Sequence, residues 1–309
     1  MDPMHAPPPH AVEAVEHDIV DVAVQAGAAV SPRTLWLRSP DCLMQVLCCV
    51  AFCGHPAWNF ASLSRAFRGD EVLWGCIKDR CGRKGMTCLI ACSWNGNLVR
   101  VRWLLDRGAS VNAACTSDGM TSLMMACMHG HLEIVRELLG QGANVNAART
   151  SDGYTALLWA CERGHLEVVR ELLGQGANVN AARTRDGMTS LMLACGNGHL
   201  ENVRELLGRG VNVNAARTVS GGMTSLMWAC QNGHLEVVRE LLGWGVNVNA
   251  ALTSDGTTSL MLACYKGHLE VARLLLAHHA STTAVKSDGN TAYKLTPTAN
   301  AELKELVKP

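Results

Sequence analysis

The chain has 309 residues, with 27 basic and 27 acidic side chains and a formal net charge of zero. That balance excludes the basic face of a general nucleic-acid binder and an acidic solvating tail. Hydrophobic residues make up 48% but aromatics only 5%, so the core must be aliphatic, built from Leu, Val, Ala, Met and Cys.

Residues 1–10, MDPMHAPPPH, carry four Pro and are predicted to be disordered. They lack the basic and apolar regions of a signal peptide. No stretch reaches the roughly 18 apolar residues that cross a bilayer, so no membrane segment is expected. Without an export signal, the fourteen Cys are expected to be reduced thiols of a cytoplasmic or nuclear protein. Residues 11–36 are predicted to hold a helical segment, with Val12, Val15, Ile19 and Val22 on one face.

Residues 37–78 read as three short helices. Pro40 suits the first position of a helix carrying Leu43, Val46, Leu47 and Val50. Gly54-His55-Pro56 breaks it, a second helix carries Leu63 and Phe67, and Leu73-Trp74 follows Asp70. The segment resembles an F-box in Pro40, Leu43, Val46, Leu47, the run Leu63-Ser64-Arg65-Ala66-Phe67, and Leu73-Trp74. Ser39 departs from the Leu that the family places before the Pro, an adaptor-contacting position. The resemblance implies that Pro40, Leu43, Leu47 and Trp74 dock the adaptor subunit of an SCF-type, cullin-RING ubiquitin ligase. The alternative is a helical cap, which a repeat array needs in any case to cover its first apolar face.

From residue 85 the chain repeats. Thr87, Thr121, Thr155, Thr189, Thr224, Thr258 and Thr291 open similar segments, spaced 34, 34, 34, 35, 34 and 33 residues apart. Segments 118–151 and 152–185 agree at 26 of 34 positions, so this is an array of duplicated units. In one unit, Asp118-Gly119 marks a turn and Thr121 is the predicted N-cap of a helix over roughly 121–129. Gly130 ends it. A second helix over roughly 132–139 carries Leu132, Val135, Leu138 and Leu139 on one face, with Glu133 and Arg136 paired on the wet side. Asn144-Val145-Asn146 then opens an extended finger. Neither helix is long enough to be stable alone, so stacking of units must supply the burial.

Asp152, Gly153, Thr155, Leu157, Ala160, Gly164, His165, Val169, Leu172, Leu173, Gly176, Ala177, Val179 and Asn180 follow the ankyrin pattern. The array over 85–309 resembles the ankyrin-repeat family: units at 85–117, 118–151, 152–185, 186–220, 221–254 and 255–287, with 288–309 as a truncated cap. The resemblance implies an all-α solenoid, a non-catalytic monomer that binds other proteins. Three departures stand out. The family's Thr-Pro-Leu-His becomes Thr-Ser-Leu-Met, so Met124, Met192, Met227 and Met261 replace a His that would tie units together. Ala-Ala becomes Ala-Cys, and the fingers are longer, most of all at Val219–Gly222. Looser fingers are expected.

Catalytic and metal chemistry find no support in the residues. Cys127, Cys161, Cys195, Cys230 and Cys264 occupy equivalent positions in successive units. Packed helices sit about 8–10 Å apart, too far for disulfides, which need Cα atoms within about 7 Å. Cys76, Cys81, Cys88 and Cys92 have no zinc-site spacing. The His-Leu-Glu triplets at His131, His165, His199, His234 and His268 lack the Pro-Cys-x-x-Cys of a zinc deaminase. No phosphate loop, zincin or nucleophile-elbow motif occurs. No cofactor, metal or catalytic residue is expected. Cys115, at a finger where sister units carry Arg, is the one thiol that reads as a sensor.

What is left is surface. Before each Thr stand Met120, Tyr154, Met188, Met223 and Thr257, the first four reading as an apolar stripe for a partner. Before the mid-unit Gly stand Met128 and His129, Glu162 and Arg163, Gly196 and Asn197, Gln231 and Asn232, then Tyr265 and Lys266. These differ while their frame hardly changes. That contrast fits a constant scaffold displaying variable contacts, or drift on unconstrained surface. Trp244, where sister units carry Gln141, Gln175 and Arg209, is a hot-spot candidate. Trp159 and Trp228 read as frame. Arg149, Arg183, Arg185 and Arg217 line the fingers, to attract an acidic partner or, the favoured reading, to sit solvated and inert.

Overall fold

A computed structural model describes residues 86–219 and 221–308. The readings of residues 1–10, 11–36 and 37–78 lie outside the described residues, and with them Pro40, Leu43, Leu47 and Trp74. Among the described residues the array is all-helical, with no β-strand beyond isolated bridges at the finger bases. The units contribute α1 (Cys88–Trp94) and α2 (Leu98–Asp106), α3 (Ser122–Met128) and α4 (Leu132–Gly140), α5 (Ala156–Arg163) and α6 (Leu166–Gly174). There follow α7 (Ser190–Gly196) and α8 (Leu200–Gly208), α9 (Ser225–Asn232) and α10 (Leu235–Gly243), α11 (Ser259–Lys266) and α12 (Leu269–Ala277). The closing unit has α13 (Ala292–Leu295) and α14 (Ala301–Leu306).

Each first helix starts where the Thr predicts. The Thr121 Oγ1 accepts from the Met124 N–H at 3.3 Å, and Thr87, Thr155, Thr189, Thr224, Thr258 and Thr291 cap alike. The buried stripe of the second helix is Ile134, Val135 and Leu138, while Leu132 and Leu139 are only half-buried. The apolar face is therefore rotated toward Ile134 from the one the sequence suggests. The first helices pack on one another more closely than the second helices do.

Arg136 does not pair with Glu133 as the sequence suggests; it reaches Glu171 of the next unit at 2.8 Å. The same step recurs at Arg102–Glu137, Arg170–Glu205 and Arg204–Glu240, 2.7–3.2 Å apart. These are exposed, solvent-screened pairs that add little to stability individually.

The lost His is replaced by another. His131, His165, His199, His234 and His268, each preceding a second helix, place Nε2 3.0–3.3 Å from a backbone carbonyl of the preceding unit. The ring lies over the positive-φ Gly that ends that unit's first helix: Gly130 sits under His165. Neighbouring fingers are also joined by hydrogen bonds. The Asn144 N–H donates to Asn112 Oδ1 at 2.7 Å, and the Asn112 Nδ2 donates to the Gly142 carbonyl at 3.1 Å. The N–H to Asn Oδ1 bond recurs at Asn178, Asn212, Asn247 and Ser281.

Burial of His165 and His129 links stability to pH. Burial pushes the His165 imidazole below its ordinary value; the bond to the Met128 carbonyl opposes this, and nearby His and Arg charges add to it. His129 is lowered by burial and then by His131, Arg163 and His165. A His held below its unfolded value of about 6.5 stabilises fully above that pH. The contribution is lost as pH falls from there through the folded value. The urea midpoint is therefore expected to fall from about pH 7.5 to about pH 5.5, with a shallower fall in His165→Gln. An unchanged slope in that variant would contradict the assignment.

Candidate protein-binding surface

The ends of the first helices carry the variable pairs. Met128, Glu162 and Gln231 are half-buried, and His129, Arg163, Asn197, Asn232 and Lys266 are exposed. Tyr265 is 60% exposed, and the Lys266 ammonium lies 5.6 Å from its ring centroid. His129 stacks between Trp94 and His131, with centroids 5.8 and 6.0 Å apart. The Asn232 Nδ2 donates to the Gly196 carbonyl at 2.6 Å, and the Asn197 Nδ2 to the Leu193 carbonyl at 3.0 Å. Trp244 is 52% exposed. It closes α10, which puts it at the opposite end of the unit from Gln231 and Asn232.

The apolar stripe does not lie on the surface. Met120, Tyr154, Met188 and Met223 are only 5–8% exposed. Each backbone carbonyl accepts from the finger residue opposite, as Arg149 N–H to Tyr154 O at 2.7 Å and Arg183 N–H to Met188 O at 2.9 Å. That pairing turns the side chains inward. Met120 packs with Ile90, Met124 and Met125, and Tyr154 with Leu158, Met188 and Met192. Cys115 is likewise buried, with its Sγ 3.1 Å from Ser117 Oγ, so it is not an accessible sensor thiol. Burial pushes the Cys127, Cys161, Cys195 and Cys230 thiols up, and Cys264 to about 11.

Of the finger arginines, Arg185 is exposed, whereas Arg149, Arg183 and Arg217 are paired within the chain rather than solvated. Arg149 Nε donates to Asp152 Oδ1 at 2.9 Å and Arg183 Nε to Asp186 Oδ1 at 2.9 Å, each with a second bond to the same carboxylate. Arg217 Nη2 reaches Asp186 Oδ2 at 2.9 Å. Arg183 also donates to the Tyr154 hydroxyl at 3.0 Å, and that hydroxyl donates to Glu162. Glu162, Tyr154, Arg183, Asp186 and Arg217 thus form one polar chain across the junction of two units. Burial, reinforced by Glu162, pushes the Tyr154 hydroxyl up to about 12. The Arg149 bond leads in holding the Asp152 carboxyl below its ordinary range. For Asp186, burial pushes upward, but the bonds from Arg183 and the Met188 N–H and the Arg charges outweigh it.

Tyr154 stacks on Trp159 at 4.3 Å, with Arg149 5.6 Å from the Trp159 centroid. Trp159 and Trp228 are half-buried, so they are partly frame and partly surface of the first helices α5 and α9. The sequence carried a signal for the polar chain: an Arg followed three residues later by Asp, at Arg149 and Arg183. Among the described residues, no group of three or more His, Cys, Asp or Glu could hold a metal ion. No described helix is long and apolar enough to cross a membrane.

Comparison with known proteins agrees with this geometry. The family profile described as "Ankyrin repeats (3 copies)" matches residues 71–149, 147–217 and 215–287. The chain belongs to the ankyrin-repeat family, whose fold is a protein-interaction scaffold. The crystal structure of the human ASB11 ankyrin repeat domain matches with a TM-score of 0.64 and 27% sequence identity. The match covers 72% of this chain and 97% of that one. Solved chains matching at a significant level number 582, so a structural match fixes the fold and selects no particular partner. No curated protein sequence matches at a significant level.

Proposed function

We propose that the chain is a non-catalytic receptor in the cytoplasm or nucleus, which holds a protein partner on the first-helix side of the array. The observation that carries this is the contrast between frame and helix ends. Caps, His ties and Asn ladders repeat from unit to unit, while Met128-His129, Glu162-Arg163, Gly196-Asn197, Gln231-Asn232 and Tyr265-Lys266 do not. Those residues, the half-buried Trp159 beside Tyr154 and the exposed Trp244 are the contacts proposed; the buried Met120, Met188 and Met223 support this surface from beneath. A monomer suffices, and no nucleic acid or membrane is part of the reading.

The finer reading makes the chain the substrate receptor of an SCF-type, cullin-RING ubiquitin ligase, with residues 37–78 as the three-helix segment that docks the adaptor. Its support is the residue pattern at Pro40, Leu43, Leu47 and Trp74. A plain scaffold is the second reading. The family match begins at residue 71, so Leu73 and Trp74 fall within an ankyrin match as well. Co-purification with the F-box-binding adaptor decides between them. Recovery by the full chain, lost in a Leu47→Ala/Trp74→Ala variant, is expected of a receptor. No recovery from folded protein would leave a scaffold whose N-terminal segment is a cap.

A further inference from the structure

The Arg–Glu pairs that join successive second helices fail at one junction. Arg102, Arg136, Arg170 and Arg204 each place Nε on a Glu of the next unit, and Arg273 reaches Glu302 of the closing unit. Between α10 and α12 the Glu position is held by Leu274, which is half-buried. Among the described residues, Arg239 keeps only the bond from Nη1 to Glu236 of its own helix. That bond does not use up a guanidinium. Arg170 and Arg204 make it to Glu167 and Glu201, and still donate from Nε to a second carboxylate at 3.2 and 2.9 Å. The acids on either side of Arg239 are already engaged, Glu240 by Arg204 and Glu270 by Arg273. The Arg239 side chain is 55% exposed, so a partner can reach it.

A second departure meets the first at Arg239. Trp244, half exposed at the end of α10, stands where the unit before has Arg209. There Arg204, Gly208 and Arg209 line one open depression on the outer face with Glu205, and Arg209 is tied to Glu205 at 3.1 Å. The counterparts one unit on are Arg239, Gly243, Trp244 and Glu240. An indole cannot make the ion pair, and a Cβ added at Gly243 would meet nothing within 4 Å, so space beside the indole is open. Arg239 thus has an exposed indole on its own helix and a Leu, in place of a Glu, on the next.

An exposed ion pair adds little by itself, so affinity at this place must come from covering the indole and Leu274. Trp and Arg are the residues enriched at the energetic centres of protein interfaces. The planar Arg fork then sets register, because it donates to a carboxylate in a fixed orientation. We propose that Trp244, Arg239 and Leu274 form a second docking patch, on the outer face of α10 and α12. It takes a protein segment that sets an Asp or Glu on Arg239 and an apolar side chain against Trp244 and Leu274. The partner's carboxylate fills the place that Glu205 and Glu240 hold at the sister junctions. The patch goes beyond the first-helix reading and shares only Trp244 with it.

The test uses Leu274→Glu, which restores the sister arrangement and closes the junction on Arg239; thermal unfolding checks that it stays folded. A phage-displayed random peptide library is first cleared on this variant, which removes peptides bound elsewhere, and then panned on the wild-type full chain. Peptides enriched on the wild type are expected to share an acidic residue beside an apolar one. Trp244→Gln, the residue of two sister units, should weaken them at least about tenfold. Converting the acid to its amide should cost about tenfold on the wild type and hardly anything on Arg239→Gln, the signature of a direct pair. No enrichment after clearing, or peptides that Trp244→Gln and Arg239→Gln bind as tightly as the wild type, would overturn the patch. Either result leaves the first-helix reading standing, because that face is the same in all the variants.

Discussion

Gly198→Ala is expected to destabilise the array by about 3–4 kcal/mol, far more than Gly267→Ala. Two costs combine at Gly198. Its φ is +75°, where a Cβ costs about 1–2 kcal/mol. The new methyl would also lie 2.6 Å from Nδ1 and 2.7 Å from Cε1 of His234, and such overpacking costs about 1–3 kcal/mol. The ring cannot swing away cheaply, because Nε2 is bonded to the Gly196 carbonyl at 3.0 Å. Gly130, Gly164 and Gly233 face His165, His199 and His268 in the same way. Gly267 has the same backbone, with φ +78°, but meets only the Asn300 Nδ2 at 3.8 Å. Its substitution carries the backbone cost alone, about 1–2 kcal/mol. Urea unfolding of the two variants measures the difference. Equal losses would mean that the His ring is not the obstacle.

Asn202→Val is expected to stabilise the protein by about 1–2 kcal/mol, the cost of burying an amide with weak compensation. Asn202 is 1% exposed at a second-helix position that is Ile134, Val168, Val237 or Val271 in sister units, each similarly buried. Its Nδ2 reaches the Ala160 carbonyl at 3.5 Å, the limit of a hydrogen bond. Removing it strands nothing at that carbonyl, which accepts from the His165 N–H at 3.0 Å and from the Gly164 N–H. Val is the residue that sister units carry at this position in Val168, Val237 and Val271. A rise in the urea midpoint is the expected reading, and a fall would mean that the amide holds α8 against α5.

The repeat, its period and its caps could be read from the sequence, because Thr121 and its equivalents sit at fixed distances from apolar positions and Gly. Direction could not. The period places Tyr154 and Met188 beside the cap, but whether they face out or in depends on the finger opposite, through the Arg149 and Arg183 hairpin bonds. The arginines misled for a related reason. Composition suggests solvated charges, whereas pairing with Asp152 and Asp186 appears only once the finger folds back. The exposed helix ends and Trp244 were legible because a helix terminus fixes the orientation of its last residues. Asn202 was visible only as an odd residue in an apolar column, and its burial is a property of the packed pair α5 and α8.

The central claim is that partners bind on the first-helix side. Amide hydrogen exchange of the full chain, with and without a peptide selected on it, tests this most directly. Slowed exchange is predicted near the ends of α5, α7, α9 and α11 and in the fingers that flank them, including 217–224. Slowing confined to the outer second helices, α6, α8 and α10, would contradict it.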